Sequence, residues 1–229
     1  MLKKLFVAVL ALAFVVSFLV TGMADGHLED GEYVGFSEAN DKGYVEAHVT
    51  IEGEVITNVE LIEWRDTGVA KDEDYRLDEW HEAMDLLPGR FVEANSTDVD
   101  IVTGATSTSE KAMGAVEMAL AKAEGQEVFD GTFLGFSEVS ERGGKGLAWV
   151  TVEAGEIVDV NLEELQDDDG SFVYKDSDYS YDVYHDAQEE MPSRFVEANS
   201  ADVDVFSGAT GSSGMWSEAV ADALSKAGL

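Results

Sequence analysis

Apolar and polar positions alternate along much of this chain, and the alternation comes in matched pairs. Between Tyr44 and Glu52, the residues Val45, Ala47, Val49 and Ile51 share one face, the period of a half-buried strand. Glu52-Gly53-Glu54 reads as a turn, and a β-branched run from Val55 to Ile62 follows, so the pair predicts a hairpin. Leu147 to Glu153, a turn at Ala154-Gly155 and Ile157 to Leu165 repeat the pattern. A shorter run from Tyr33 to Ser37 predicts a further strand. Composition turns helical around Leu77 to Leu87, and Pro88 is expected to end that helix or to begin the next element. Ala112, Val116, Ala119, Leu120 and Ala123 recur at helical spacing, as do Trp216, Val220, Ala223 and Leu224. Antiparallel strands packed with helices predict an α+β fold.

The pairing reflects an internal duplication. Residues 71–100 and 175–204 are identical at eighteen of thirty positions, at an offset of 104. Each segment runs into a parallel motif, TGATSTS at 103–109 and SGATGSS at 207–213. Each is preceded by another, YVGFSE at 33–38 and FLGFSE at 133–138, at an offset of 100, so the second copy carries a short insertion. This period is too long for a solenoid and implies two globular domains in tandem, 25–126 and 127–229, joined near Ala123 to Asp130.

The first 24 residues stand apart. Lys3 and Lys4 precede an apolar run from Leu5 to Val20, followed by Gly22, Ala24 and the polar Asp25. That order is the order of a secretory signal, with cleavage expected after Ala24. The run is slightly long for a signal core and slightly short for a full span, so an uncleaved anchor is the alternative. Both predict that the remainder lies outside the cytoplasmic membrane.

Charge narrows the partners. With 48 acidic against 14 basic residues the formal net charge is −34, which repels phosphate backbones and argues against nucleic acid. The acids are interleaved with apolar residues, as on a solvated surface over a folded core. A salt-adapted (halophilic) source accounts for this, since at about 1 M salt the screening length is about 3 Å. A basic partner steered by the field is a second account, compatible with the first. The absence of Cys removes disulfides, iron–sulfur clusters and thiol chemistry.

The candidate chemistry lies in Asp100-Ile101-Val102-Thr103-Gly104-Ala105-Thr106 and in Asp204-Val205-Phe206-Ser207-Gly208-Ala209-Thr210. Hydroxyls gather there at a helix start, where unpaired N–H groups and the helix dipole favour an anion. Gly and Ala leave room for a large ligand, and a threonine so presented is a candidate phosphoryl acceptor. The plainer account is a capping box, Ser107 with Glu110. Its second copy lacks the glutamate, whereas the Gly-Ala-Thr and the upstream aspartate occur twice.

The D-x-x-[ST]-G-A-T pattern resembles the flavinylation motif of the FMN-binding domain family. That family includes the peripheral FMN subunits of the sodium-pumping NADH:quinone reductase and of the Rnf complex, and exported tandem-domain flavoproteins. The resemblance covers both repeats. It implies that a flavin transferase moves FMN from FAD onto the last threonine of each motif through a phosphoester, making Thr106 and Thr210 the acceptors and FMN a covalent cofactor, two per chain. Thr103, Gly104, Ala105, Ser207, Gly208 and Ala209 complete the two motifs. Asp100 and Asp204 either position the threonine for the transferase or cap a turn. The function so implied is an exported electron carrier working between a membrane donor and an extracytosolic acceptor. The rivals are an electron-delivering subunit of an extracytosolic reductase and a non-redox cell-surface binding module. No substrate-binding catalytic domain is visible, so no catalytic residue is assigned and a carrier is favoured over a stand-alone enzyme.

Other repeated residues have plainer readings. His81 and His185 match, but one His per copy is too few for a metal site, so they are read as structural or surface residues. Arg90 and Arg194 match and invite a phosphate, a carboxylate ligand or a neighbouring acid. Asp167-Asp168-Asp169-Gly170 does not fit a calcium loop and is read as a solvated acidic turn. Gly143-Gly144-Lys145-Gly146 lacks the P-loop spacing and is read as the approach to a strand.

Overall fold

The computed structural model describes residues 27–175 and 179–229. The expected signal or anchor lies outside the described residues. Among those described, no helix is long and apolar enough to cross a membrane.

Copy 1 contains β1 (Gly31–Phe36), β2 (Tyr44–Glu52), β3 (Val55–Trp64), α1 (Asp78–Ala94) and α2 (Thr106–Ala123). Copy 2 contains β4 (Gly131–Phe136), β5 (Gly144–Glu153), β6 (Glu156–Asp168), β7 (Ser171–Tyr174), α3 (Asp182–Ala198) and α4 (Thr210–Ala227). Both sheets are antiparallel, in the orders β1-β2-β3 and β4-β5-β6-β7. The α+β reading therefore holds for each copy.

The hairpins form as the alternation predicts. Two-residue loops with both central residues at positive φ close them, Gly53-Glu54 and Ala154-Gly155. An upstream aspartate accepts from each loop, Asp30 from the Gly53 N–H at 2.6 Å and Asp130 from the Ala154 N–H at 2.7 Å. In copy 1 the sheet residues Val45, Ala47, Val49 and Ile51 face Ala112, Ala115, Val116 and Ala119 of α2 in one core. The recurring G-F of each first strand is explained by contact distance. A Cβ on Gly35 would lie 2.0 Å from the Ala115 carbonyl, and one on Gly135 would lie 2.0 Å from that of Ala219. These glycines let strand and helix backbones touch.

Two expectations are corrected. Pro88 neither ends nor begins a helix: α1 runs through it to Ala94. A proline costs about 3 kcal/mol there, but Trp80, Ala83, Leu87 and Phe91 form one buried face spanning it, which outweighs that cost. The acidic turn at Asp169-Gly170 is solvated as expected, yet it also closes a hairpin that adds β7, which in copy 1 is reduced to the single bridge between Trp64 and Ala70. Helices α1 and α3 end on Asn95 and Asn199 in the left-handed conformation. Each asparagine side chain accepts from the start of the neighbouring strand, the Ile56 N–H at 2.8 Å and the Ile157 N–H at 2.7 Å.

The copies share a seam. Ala39, Tyr44, Leu134, Leu147 and Leu165 form a buried cluster drawn from both, with Phe36, Trp64 and Phe136 packed on it. The Ala39 N–H donates to the Thr132 carbonyl across it at 2.8 Å. The buried Lys226 of copy 2 lies over the rings of Tyr44 and Phe136, at 5.0 and 5.4 Å, and donates to the Leu134 carbonyl at 2.7 Å.

Candidate functional site

Each motif folds into a tight turn that delivers the chain into a helix. The Ala105 N–H donates to the Val102 carbonyl at 3.0 Å, and the Ala209 N–H to that of Phe206 at 3.1 Å. Thr103 and Ser207 stand at the second turn position, and Gly104 and Gly208 at the third with φ of +88° and +91°. Glycine is demanded there twice over. A Cβ on Gly104 would lie 2.7 Å from Glu79 Cγ, and one on Gly208 2.9 Å from Val183 Cγ1. Ser109 pins this turn to the helix: its Oγ accepts from the Val102 N–H at 3.0 Å and donates to the Ala105 carbonyl at 2.9 Å. Ser213 does the same with Phe206 and Ala209 at 3.1 and 2.9 Å.

The repeated arginines hold the other end of the loop. Arg90 donates to the backbone carbonyl of Asp100, and Arg194 to that of Asp204 at 2.7 Å. They brace the motif. Arg194 also pairs with Glu190 at 2.5 Å, so the neighbouring-acid reading holds for it in part. Asp100 and Asp204 themselves are exposed.

Thr106 and Thr210 are exposed and are the first residues of α2 and α4. The N-cap positions are Ala105 and Ala209, and among the described residues no side chain caps either helix. The plainer capping-box account therefore fails: Ser107 and Glu110 both lie inside α2, because the glycine turn starts the helix earlier. The first amides stay open to an anion beside the threonine.

Beneath each helix start lies a buried network that the sequence reading missed. In copy 1 Glu63, 3% exposed, pairs with Lys71 at 2.5 Å. Its other oxygen accepts from Trp80 Nε1 at 2.7 Å and Thr108 Oγ1 at 2.9 Å. In copy 2 Glu164, 4% exposed, pairs with Lys175 at 2.7 Å and accepts from Ser212 Oγ at 2.8 Å. Lys71 lies over the Tyr75 ring at 4.4 Å, and Lys175 over Tyr179 and Tyr184 at 4.2 Å each. His81 and His185 are structural as expected, bonding to the carbonyls of Tyr75 at 2.6 Å and Tyr179 at 2.8 Å. The signal available in the sequence was the recurrence of a lysine at 71 and 175 in a chain with only 14 basic residues.

In copy 2 these parts line a cavity of about 460 Å³. Its lining includes Thr210, Ser212, Tyr179, Tyr181, Tyr184, Met215 and Lys175. Burial, and then the charges of Glu164 and Glu163, hold the Tyr184 phenol protonated well above its ordinary range. The volume is that of a small-cofactor pocket. Rings for an aromatic ligand and an uncapped helix start for its phosphate fit a flavin nucleotide. In copy 1 a cavity of about 450 Å³ is lined by Asp41, Lys42, Arg65, Asp66, Lys71, Asp74, Tyr75 and Arg76; it shares the lysine and tyrosine of the copy 2 cavity, but neither Thr106 nor Lys111 is on its wall.

The family described as FMN-binding domain matches residues 42–121 and again 143–225. No curated protein matches the chain. A solved structure, that of the CPE2226 protein from Clostridium perfringens, is 21% identical over 44% of this chain and 88% of its own, with a TM-score of 0.36.

Proposed function

The chain belongs to the FMN-binding domain family, in tandem duplicate, and from that premise we propose that it is an exported electron-transfer flavoprotein carrying FMN covalently on Thr106 and Thr210. The observation that carries the proposal is the pair of exposed threonines, each first in an uncapped helix, with Thr210 on the wall of a cavity lined by aromatic rings.

Attachment is the work of a flavin transferase acting on FAD. The threonine Oγ loses its proton and forms a bond to phosphorus, the pyrophosphate bridge breaks, and AMP leaves. The chain supplies a rigid acceptor: the glycine turn, Ser109 or Ser213 and Arg90 or Arg194 hold the hydroxyl in a fixed place. Thr103 and Gly104, with Ser207 and Gly208, are exposed and serve as the surface the transferase reads, while Ala105 and Ala209 are buried and anchor the turn to the core. Once bound, FMN supplies one- and two-electron chemistry, and the protein supplies tethering, orientation and tuning. Electrons would come from a membrane donor and leave to an extracytosolic acceptor, as for the peripheral FMN subunits of ion-pumping redox complexes.

The test is the intact mass of the denatured protein co-produced with a flavin transferase, beside Thr106→Ala and Thr210→Ala. Two FMN additions are expected, each lost with its own substitution. A single addition would confine the function to one copy. No addition, with the transferase active on a control substrate, would overturn the proposal in favour of a non-redox module.

A further inference from the structure

The two sites are built on one plan but differ at a buried position. Lys111 in α2 corresponds to Met215 in α4, at the same offset of 104 that relates Thr106 to Thr210. Met215 lines the copy 2 cavity together with Ser140 and Gly144. Their counterparts in copy 1 are Asn40 and Gly43, matched by the same small bridge: Asn40 N–H to Gly43 carbonyl at 3.2 Å, Ser140 N–H to Gly144 carbonyl at 2.8 Å. The Lys111 ammonium is held by these two residues, donating to Asn40 Oδ1 at 2.9 Å and to the Gly43 carbonyl at 2.6 Å. It therefore stands at the wall where copy 2 has a thioether.

This lysine is 8% exposed, and among the described residues no carboxylate pairs with it. Both of its acceptors are neutral, which leaves one N–H without an acceptor and the charge without a directly paired carboxylate. Burial accordingly pulls its pKa below the ordinary lysine value, against the opposing pull of Glu63. Among the other charge differences, copy 2 has the half-buried Glu163 where copy 1 has Ile62, which makes copy 2 the more negative site and acts in the same direction as Lys111; the exposed differences offset one another. Copy 1 has Arg65 and Arg76 where copy 2 has Gln166 and Ser180, but it also has Glu73 and Glu79 where copy 2 has Ser177 and Val183. Exposed charges are screened by salt far more than buried ones, so Lys111 in copy 1 and Glu163 in copy 2 set the difference, and substitution of Lys111 isolates its share.

Resting on the reading that Thr106 and Thr210 both carry FMN, we propose that Lys111 makes the copy 1 site the stronger electron acceptor, so that electrons collect on copy 1. Two electrons and one proton taken up by a neutral oxidised flavin leave it one charge more negative. A buried, unpaired cation beside it favours that product. In exchange between the sites, the flavin on Thr210 is oxidised by as many electrons as the flavin on Thr106 gains, and the proton passes through solvent.

The experiment is anaerobic spectroelectrochemistry of the flavinylated full chain, with loading checked by mass. Thr210→Ala isolates the copy 1 flavin, and Thr106→Ala isolates that of copy 2. The copy 1 flavin is expected to have the higher midpoint potential. In the Thr210→Ala background, Lys111→Met lowers the reduction equilibrium constant by roughly tenfold, about 30 mV for a two-electron couple, while Lys111→Arg retains it. Met215→Lys in the Thr106→Ala background raises the copy 2 potential, and this arm decides the matter where Lys111→Met fails to fold. Equal potentials at two loaded sites, or a copy 1 potential indifferent to Lys111, would overturn this inference while leaving the flavoprotein reading intact. Absence of FMN from both sites would overturn both.

Discussion

Removing the carboxylate of Glu164 tests the buried network most directly. In Glu164→Ala the Lys175 ammonium loses its partner at 2.7 Å while its side chain remains 6% exposed, and the Ser212 hydroxyl loses its acceptor. Breaking a buried pair from one side costs about 3–5 kcal/mol, because the surviving charge has neither water nor a counter-ion. Replacing both partners, as in Glu164→Ala/Lys175→Met, removes the stranded charge and should restore all but about 1–2 kcal/mol. Salt separates this from surface electrostatics. The wild-type chain, with a net charge of −34, should gain stability as salt rises because its self-repulsion is screened. The cost of Glu164→Ala should stay constant, since the pair is shielded from solvent. The exposed Arg194–Glu190 pair, with side chains 30% and 54% exposed, should contribute at most about 1 kcal/mol at low salt and nothing at high salt. Urea, being uncharged, allows unfolding to be followed by circular dichroism at about 0.2 M and about 2 M KCl. A single-substitution cost below about 1 kcal/mol, a double variant as unstable as the single, or a cost that vanishes in salt would refute the reasoning.

Two further expectations rest on packing and on protonation. In Gly135→Ala the new Cβ would meet the Ala219 carbonyl at 2.0 Å and the Ala223 nitrogen at 2.4 Å. Helix α4 must then lift from β4, with a loss of about 3 kcal/mol or more by chemical denaturation; an unchanged midpoint would contradict the contact. The phenols of Tyr44, Tyr174 and Tyr184 are held protonated above their ordinary 10.0, chiefly by burial. Since the folded value exceeds the unfolded one, their contribution to stability is complete below about pH 10 and is lost as pH rises beyond it. A spectrophotometric titration should show three phenols resisting ionisation until the chain unfolds; ordinary titration of all seven tyrosines would count against it.

What the sequence disclosed and what it hid follow from the range of the forces involved. The hairpins and the terminal helices are specified by short-range alternation and periodicity, so Val45 to Ile51 and Ala112 to Ala123 announce themselves. The turn glycines of the motif were visible for the same local reason. The continuation of α1 past Pro88 was not, because it depends on Phe91 finding a core made elsewhere. The strand β7 depends on two turn residues inside an insertion. Glu63 and Glu164 were hidden among 48 acids, and only the folded chain brings Lys71 and Thr108 to the first and Lys175 and Ser212 to the second. Lys111 was hidden in another way: at helical spacing it reads as solvated, and only the bridge at Asn40 and Gly43 encloses it.

The seam between the copies bears on kinetics. Tandem domains joined by a loose linker meet by diffusion, and any exchange between them varies with linker length and solvent viscosity. Here Tyr44, Leu134, Leu147 and Leu165 are buried together, and Lys226 is clamped over aromatic rings from both copies. The interval between Thr106 and Thr210 is thereby a built dimension of the molecule, like the gap between two contacts on a circuit board. Whatever passes from one position to the other does so at a rate set by that fixed gap and by the groups filling it, alike in every copy of the chain.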